Sequence, residues 1–347
     1  MGKTAKLNWL VFTVIAVIGL SLFAGYSAKV STRVVLTEHK IPGIDHGIEL
    51  YLREKANADR QHFSKDNVVL LLEPFSVPSA EAFDVPGYSW MEELAKEGYD
   101  AWALDFRGFG KSTRPAAMEK PPLENPPVVQ ATDAIKDVEA AVEYIRKTRK
   151  IDRVNIIGWS WGGVVAGMYA AGHPEKVNKL VLYGAMHGFS LPSMVKPLEE
   201  GPGVLKSKLP SYQLVTFDMI IHHWHMMMKN HDLASKEAFE AVGKVFMGSD
   251  PTSVSRQPNS IRRPMGPLID LYYIWSNKPI FDAARIKASV LLIRGDADLF
   301  ADATFFDKLT GAARKKEVII KDATHWVLYE KNRHQLLSET AHFLKTN

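Results

Sequence analysis

Gly158-Trp159-Ser160-Trp161-Gly162-Gly163 stands between a short apolar run, Val154–Ile157 (VNII), and a helical run, Val164–Ala171. By composition alone a G-x-S-x-G pentapeptide is weak evidence. Its position gives it weight, because the flanking runs make it the turn of a strand–turn–helix unit. So sharp a turn leaves no space for side chains at 158 and 162. It strains the serine backbone and lifts the Ser160 hydroxyl clear of the sheet. The hydroxyl then lies at a helix N-terminus, where the peptide dipoles favour developing negative charge. The competing reading is a glycine-rich turn with an idle serine.

Outward from this unit, short apolar runs alternate with longer amphipathic ones. Thr32–Leu36 and Ile48–Leu52 read as strands, and Val68–Leu72 (VVLLL) as a central strand covered on both faces. Ala101–Leu104, Val154–Ile157, Leu180–Tyr183, Val290–Ile293 and Val318–Ile320 continue the series. Ala131–Arg149 carries Ile135, Val138, Val142 and Ile145 at helical spacing, and Gln335–Leu344 is a further helix candidate. This alternation predicts an α/β fold, a mostly parallel sheet with helices on both faces. Residues 185–288 interrupt it. They are rich in Met, His, Trp and Tyr, with helical patches at Thr216–Lys229 and Ser235–Phe246, and predict an inserted helical cap. The core is then 31–184 and 289–347. The Pro-rich stretch Arg114–Val129 reads as a surface loop.

A serine hydroxyl becomes a nucleophile only when a base takes its proton. Of the 12 histidines, His325 follows the late strand Val318–Ile320 directly and so reaches the sheet edge that Ser160 reaches. His334 and His342 lie on the C-terminal helix, and His222, His223 and His225 in the cap. His222 and His225 would share a helix face, but no Cys or acidic neighbour joins them. The Met-rich segment is expected to form an adaptable wall of an apolar site, with no metal. The base in turn needs an acid to hold its tautomer. Asp296 and Asp298, in the loop after Val290–Ile293, are both candidates.

The composition excludes several classes. At 46% hydrophobic and 24% charged residues the chain is an ordinary globular protein, neither disordered nor wholly membrane-embedded. A net charge of +4 without basic blocks gives no case for nucleic-acid binding. The absence of Cys excludes disulfides, thiolate catalysis and Cys-ligated metal. No phosphate-binding glycine loop or dinucleotide fingerprint occurs, and no cofactor is expected. Residues 1–30 read as a signal peptide or N-terminal membrane anchor: Lys3 and Lys6 precede the uncharged run Trp9–Ala24. At 16 residues the run is short of the about 17–25 that span a bilayer. Export to the periplasm, secretion or anchoring through residues 9–24 is the expectation.

With these residues in view the sequence resembles the α/β-hydrolase superfamily of serine hydrolases, the esterases and lipases among them. The resemblance covers about Val68 to Phe343 without the cap. It rests on GWSWGG, on Asp105-Phe106-Arg107-Gly108-Phe109-Gly110-Lys111-Ser112, on Gly295-Asp296-Ala297-Asp298, on the late His325, and on the chain order Ser, Asp, His. It selects Asp298 over Asp296. It also implies an oxyanion hole from the N–H of Trp161 and an N–H of the loop after Leu72, where Phe75 matches the usual donor. Trp159 and Trp326 flank the catalytic positions as substrate-binding walls. The implied activity is cleavage of a carboxylic ester with a hydrophobic acyl or alcohol part. The same constellation serves lactone, amide and carbon–carbon hydrolysis and perhydrolysis, and the fold also carries non-catalytic ligand-binding proteins. Haloalkane dehalogenase and epoxide hydrolase chemistry both require a carboxylate at position 160.

One segment departs from the family pattern. Where His-Gly is usual, Leu72 is followed by Glu73-Pro74-Phe75-Ser76. An ionised Glu73 beside a forming oxyanion would oppose it. The residue is therefore expected to point away, to pair with a cation, or to be protonated. It is read either as a hydrogen-bonding support or as a substrate-binding residue for a cationic group.

Overall fold

The computed structural model describes residues 33–229 and 231–346; the expected leader or anchor at 1–30 lies outside them. The chain lays down β1 (Val34–Pro42), β2 (Glu49–Asn57), β3 (Val68–Leu72), the short α1 (Ser79–Ala82), α2 (Trp90–Lys96), β4 (Asp100–Asp105), α3 (Ala131–Arg149), β5 (Val154–Trp159), α4 (Trp161–Gly172) and β6 (Val177–Tyr183). The insertion follows, with α5 (Pro192–Val195), β7 (Glu199–Gly201), β8 (Val204–Leu205), β9 (Tyr212–Val215), α6 (Phe217–Met228), α7 (Lys236–Gly248), β10 (Ile261–Pro264) and α8 (Gly266–Trp275). The chain then returns through β11 (Ser289–Gly295), α9 (Phe305–Lys308), β12 (Lys315–Ile320) and α10 (Arg333–Lys345). Among the described residues no helix is long and apolar enough to cross a membrane.

Eight strands make one sheet in the order β1-β2-β4-β3-β5-β6-β11-β12. The β1–β2 and β2–β4 pairs are antiparallel and the rest parallel. The apolar run of β3 follows from its place: Val68, Leu70 and Leu72 enter one core cluster, Val69 and Leu71 the opposite one, and none is exposed. Each such side chain contributes on the order of 1.5–3 kcal/mol by leaving water. On α3, Ala134, Val138, Ala141, Val142 and Ile145 form the buried stripe. The Asp133 carboxylate accepts the Gln130 N–H at 3.2 Å and closes the first turn.

The chain leaves β3 toward β4 on one side and reaches β5 on the other. The crevice beyond the carboxyl ends of β3 and β5 is therefore the switch point where open α/β sheets bind ligands. The insertion carries the expected helices and adds strands to them. Besides α6, α7 and α8 it holds two antiparallel ribbons, β9–β10 and β7–β8. The segments are too short, and too poor in strict alternation, to signal strands. The described residues form one compact unit, the insertion included.

Candidate active site

Ser160 caps α4 with φ 58° and ψ −122°, a left-handed backbone on a residue with a Cβ. Crowding enforces the turn. A Cβ on Gly158 would lie 2.4 Å from the Gly162 carbonyl oxygen. One on Gly162 would lie 2.3 Å from the carbonyl oxygen of Glu73 and 2.4 Å from that of Leu72. The Ser160 N–H donates to the Tyr183 carbonyl at 2.8 Å, and its own carbonyl accepts from Gly163 at 2.9 Å. The main chain is thus fixed while the hydroxyl faces a cavity of about 530 Å³.

Asp298 and His325 arrive in the loops after β11 and β12. Nδ1 of His325 lies 2.8 Å from Oδ2 of Asp298, whose side chain is fully buried. The other oxygen, Oδ1, accepts the N–H groups of Phe300 at 3.0 Å and Ala301 at 3.2 Å. Asp296, exposed, instead accepts the Ala323 N–H. The His325 carbonyl accepts from Trp159 Nε1 at 3.1 Å and from the Tyr183 hydroxyl at 2.8 Å, which fixes the main chain that carries the ring. Nε2 is thereby left toward the cavity, which Ser160 and His325 both line. Among the described residues the serine hydroxyl makes no hydrogen bond, to His325 or otherwise. Such contacts commonly tighten only when substrate binds.

The N–H groups of Trp161 and Phe75 also have no internal partner among the described residues. Phe75 lines the cavity and Trp161 opens α4 beside the nucleophile. Glu73 corrects an expectation, because it does not line the cavity and holds no cationic substrate group. It is fully buried, and its Oε2 accepts the Ser79 N–H at 2.8 Å and the Phe106 N–H at 3.4 Å, while Oε1 has no partner. Burial, reinforced by the nearby Asp105 carboxylate, raises its pKa well above the usual value. Glu73 is thus turned into the core and away from the cavity.

Trp159 and Trp326 both line the cavity. Trp159 is stacked on Tyr183 at 5.1 Å, and Trp326 on Trp224 of α6 at 5.2 Å, so the insertion builds one wall. Met186, Met194, Leu198, Leu271 and Trp275 make the remainder mostly apolar. Several supporting residues carry no motif and were invisible in the sequence. Asp270 of α8 accepts Trp161 Nε1 at 3.0 Å and the Ala131 N–H at 2.7 Å, and burial pushes its pKa up to about 7. Glu330 accepts the Thr324 N–H at 2.9 Å and Trp224 Nε1 at 2.8 Å, so it holds the His325 loop. Arg263 of β10 lines the cavity as well.

The sequence profile describing the alpha/beta hydrolase fold matches residues 82–332. The chain belongs to the alpha/beta hydrolase family. This hydrolase is 23% identical over 307 residues to "Epoxide hydrolase 3" of Xenopus tropicalis, covering 82% of this chain and 75% of that protein. It is 29% identical over 162 residues to human "Serine hydrolase BPHL", covering 47% of each. Among solved structures it resembles an esterase from Exiguobacterium antarcticum (TM-score 0.57, 16% identity, 88% of this chain and 99% of that one). It also resembles CarC, a serine hydrolase involved in carbazole degradation (TM-score 0.58, 17% identity, 89% and 99%). At these identities the structures speak for the fold.

Proposed function

We propose that this hydrolase cleaves carboxylic esters by serine catalysis, with Ser160, His325 and Asp298 as its triad. The observation that carries the reading is the buried Asp298–His325 pair opening on the same cavity as a serine held at positive φ on a helix N-terminus. Ser160 Oγ attacks the ester carbonyl carbon as His325 Nε2 takes its proton. The N–H groups of Trp161 and Phe75 hold the oxyanion. The intermediate collapses, and His325 returns the proton to the departing alcohol. Water, deprotonated by the same imidazole, then releases the acid. The apolar walls favour a hydrophobic acyl or alcohol part.

Epoxide opening is the second reading, motivated by the names of the relatives. In this fold that chemistry takes a carboxylate nucleophile, and the position carries Ser160. A fluorophosphonate probe, p-nitrophenyl esters of rising acyl length and styrene oxide separate the readings. Wild type is expected to label and to cleave esters, and Ser160→Ala to do neither while keeping its fold. Ester turnover retained in Ser160→Ala, or turnover of the epoxide alone, rejects the proposal. A chain that neither labels nor turns over is a binding protein. The proposal extends to export, supported by the Lys-flanked apolar run Trp9–Ala24. N-terminal sequencing of the mature protein tests for cleavage.

A further inference from the structure

The cavity wall contains no Asp or Glu, yet it contains Arg263. The residue lies in the ribbon β9–β10, retains some accessible surface, and forms no salt bridge among the described residues, unlike its neighbour Arg262, which pairs with Asp250 and Glu119. Of the five N–H groups of a guanidinium, one Nη1 hydrogen goes to Ser76 Oγ at 2.8 Å and one Nη2 hydrogen to Gln213 Oε1 at 2.7 Å. Nε is buried with no acceptor. The plane packs over the Phe75 ring, 4.1 Å from its centroid, beside the loop that offers the oxyanion N–H. Desolvation with no compensating carboxylate lowers its pKa to about 10, so it is still charged at neutral pH.

An unpaired guanidinium largely withdrawn from water is costly unless something anionic joins it. A purely structural tie from β10 to the Phe75 loop would need donors but no charge, since both of its acceptors are neutral. Ser76 and Gln213 line the cavity beside Arg263 and supply neutral polar contacts. His223 also lines it, and burial there lowers its pKa, so it adds no second cation. One fork-shaped cation flanked by hydroxyl and amide matches a carboxylate better than a phosphate dianion. The rest of the lining is mostly apolar, as an acyl chain requires.

We infer that Arg263 is a specificity residue that receives a carboxylate carried by the substrate at a distance from the scissile ester. The cleaved substrate is then the monoester of a dicarboxylic acid, or an ester of similar reach with one free carboxylate. This inference rests on the esterase reading above and narrows its substrate class.

Mono-p-nitrophenyl esters of succinate, glutarate and adipate, each set against the neutral p-nitrophenyl ester of the same carbon number, test it. At the length that fits, wild type is expected to favour the carboxylated ester by about 10- to 100-fold in kcat/KM, the worth of a charge-assisted contact. Arg263→Gln should lower that ratio at least tenfold, and Arg263→Lys, which keeps the charge, should retain part of it. Equal loss on both esters in Arg263→Gln, or no preference in wild type at any length, overturns the inference. A binding readout separates its failure from that of the esterase reading. In Ser160→Ala, which needs no chemistry, glutarate should raise the Tm, and in Ser160→Ala/Arg263→Gln it should not. Fluorophosphonate labelling without this shift or preference rejects the carboxylate site alone. The shift without labelling or turnover rejects the esterase alone.

Discussion

Trp161 Nε1 donates to Asp270 Oδ2 across 3.0 Å, and that oxygen also accepts the Ala131 N–H. One carboxyl of the insertion thus ties the residue after Ser160 to the first turn of α3. Burial raises the Asp270 pKa to about 7 from 3.8. The folded state therefore holds a proton that the unfolded chain releases. Stability from this group is full below about pH 4 and is lost as pH rises through about 7. Asp270→Asn keeps an oxygen for both donors and removes the titration. Its Tm should equal that of wild type near pH 4 and exceed it at pH 8. An offset independent of pH would show that Asp270 does not carry the proton.

The sheet was legible because its signals are local. All eight sheet strands overlap apolar runs apparent in the sequence, six of them containing the run whole while β1 and β2 are shifted toward the C-terminus, and α3 spans the residues its periodicity predicts. The positions of Ser160, Asp298 and His325 were legible because each follows the carboxyl end of a sheet strand within five residues, and the structure brings Asp298 and His325 into contact. Besides the four-residue helices α1, α5 and α9, two helices went unread for definite reasons. In α2 the seven residues are too few to show a period. In α8, Gly266 and Pro267 at the start imitate a loop, and apolar residues on nearly all sides blur the stripe. The ribbons β7–β8 and β9–β10 escaped because their strands have two to four residues. Asp270, Glu330 and Arg263 stayed hidden because their meaning comes from partners 90 or more positions away, such as Ser76 for Arg263. Glu73 stayed open between a hydrogen-bonding support and a substrate contact because sequence gives its place in the chain but not its direction.

Gly184 has φ 54°, and a Cβ there would lie 2.9 Å from Asp298 Oδ2 and from Nδ1 and Cε1 of His325. Gly184→Ala therefore pushes on the acid–base pair without altering its chemistry. A displacement approaching 1 Å costs about 100-fold in rate. We expect kcat to fall by about 10- to 100-fold and stability by about 1–2 kcal/mol, the latter from the left-handed backbone. Gly47, at φ 78° with nothing within 4 Å of a Cβ, is the control. Gly47→Ala should show the stability loss with kcat unchanged. Equal kinetic effects at both sites would place the Gly184 effect in the backbone and not in the pair.

Tyr183 is fully buried, donates to the His325 carbonyl at 2.8 Å and accepts the Leu328 N–H at 3.2 Å. Tyr183→Phe keeps the ring stacked on Trp159 and leaves the Leu328 N–H without its acceptor. The expected cost is about 1–3 kcal/mol of stability. The His325 carbonyl keeps its bond from Trp159 Nε1. The main chain that carries the imidazole is then held by one donor instead of two, so kcat should fall with KM little changed. Denaturant unfolding and steady-state kinetics check the two parts, and a change confined to KM would argue against a role in positioning the ring.

Asp298 distributes its oxygens unequally, and that asymmetry gives the sharpest prediction for the proposed triad. Oδ1 is taken by the N–H groups of Phe300 and Ala301, so in Asp298→Asn the amide oxygen is drawn to that side. The amide NH2 then faces Nδ1 of His325 at the 2.8 Å contact. A donor there selects the tautomer with its proton on Nε2, which is unable to accept the serine proton. The loop geometry is preserved and the charge that stabilises an imidazolium is removed. We expect kcat on a p-nitrophenyl ester to drop about 1,000- to 10,000-fold, with the Tm within a few degrees of wild type. Asp296→Asn, altering the exposed neighbour that only caps the Ala323 N–H, should leave kcat within a few-fold. Should Asp296→Asn inactivate the enzyme and Asp298→Asn spare it, the acid would have to be reassigned despite the geometry.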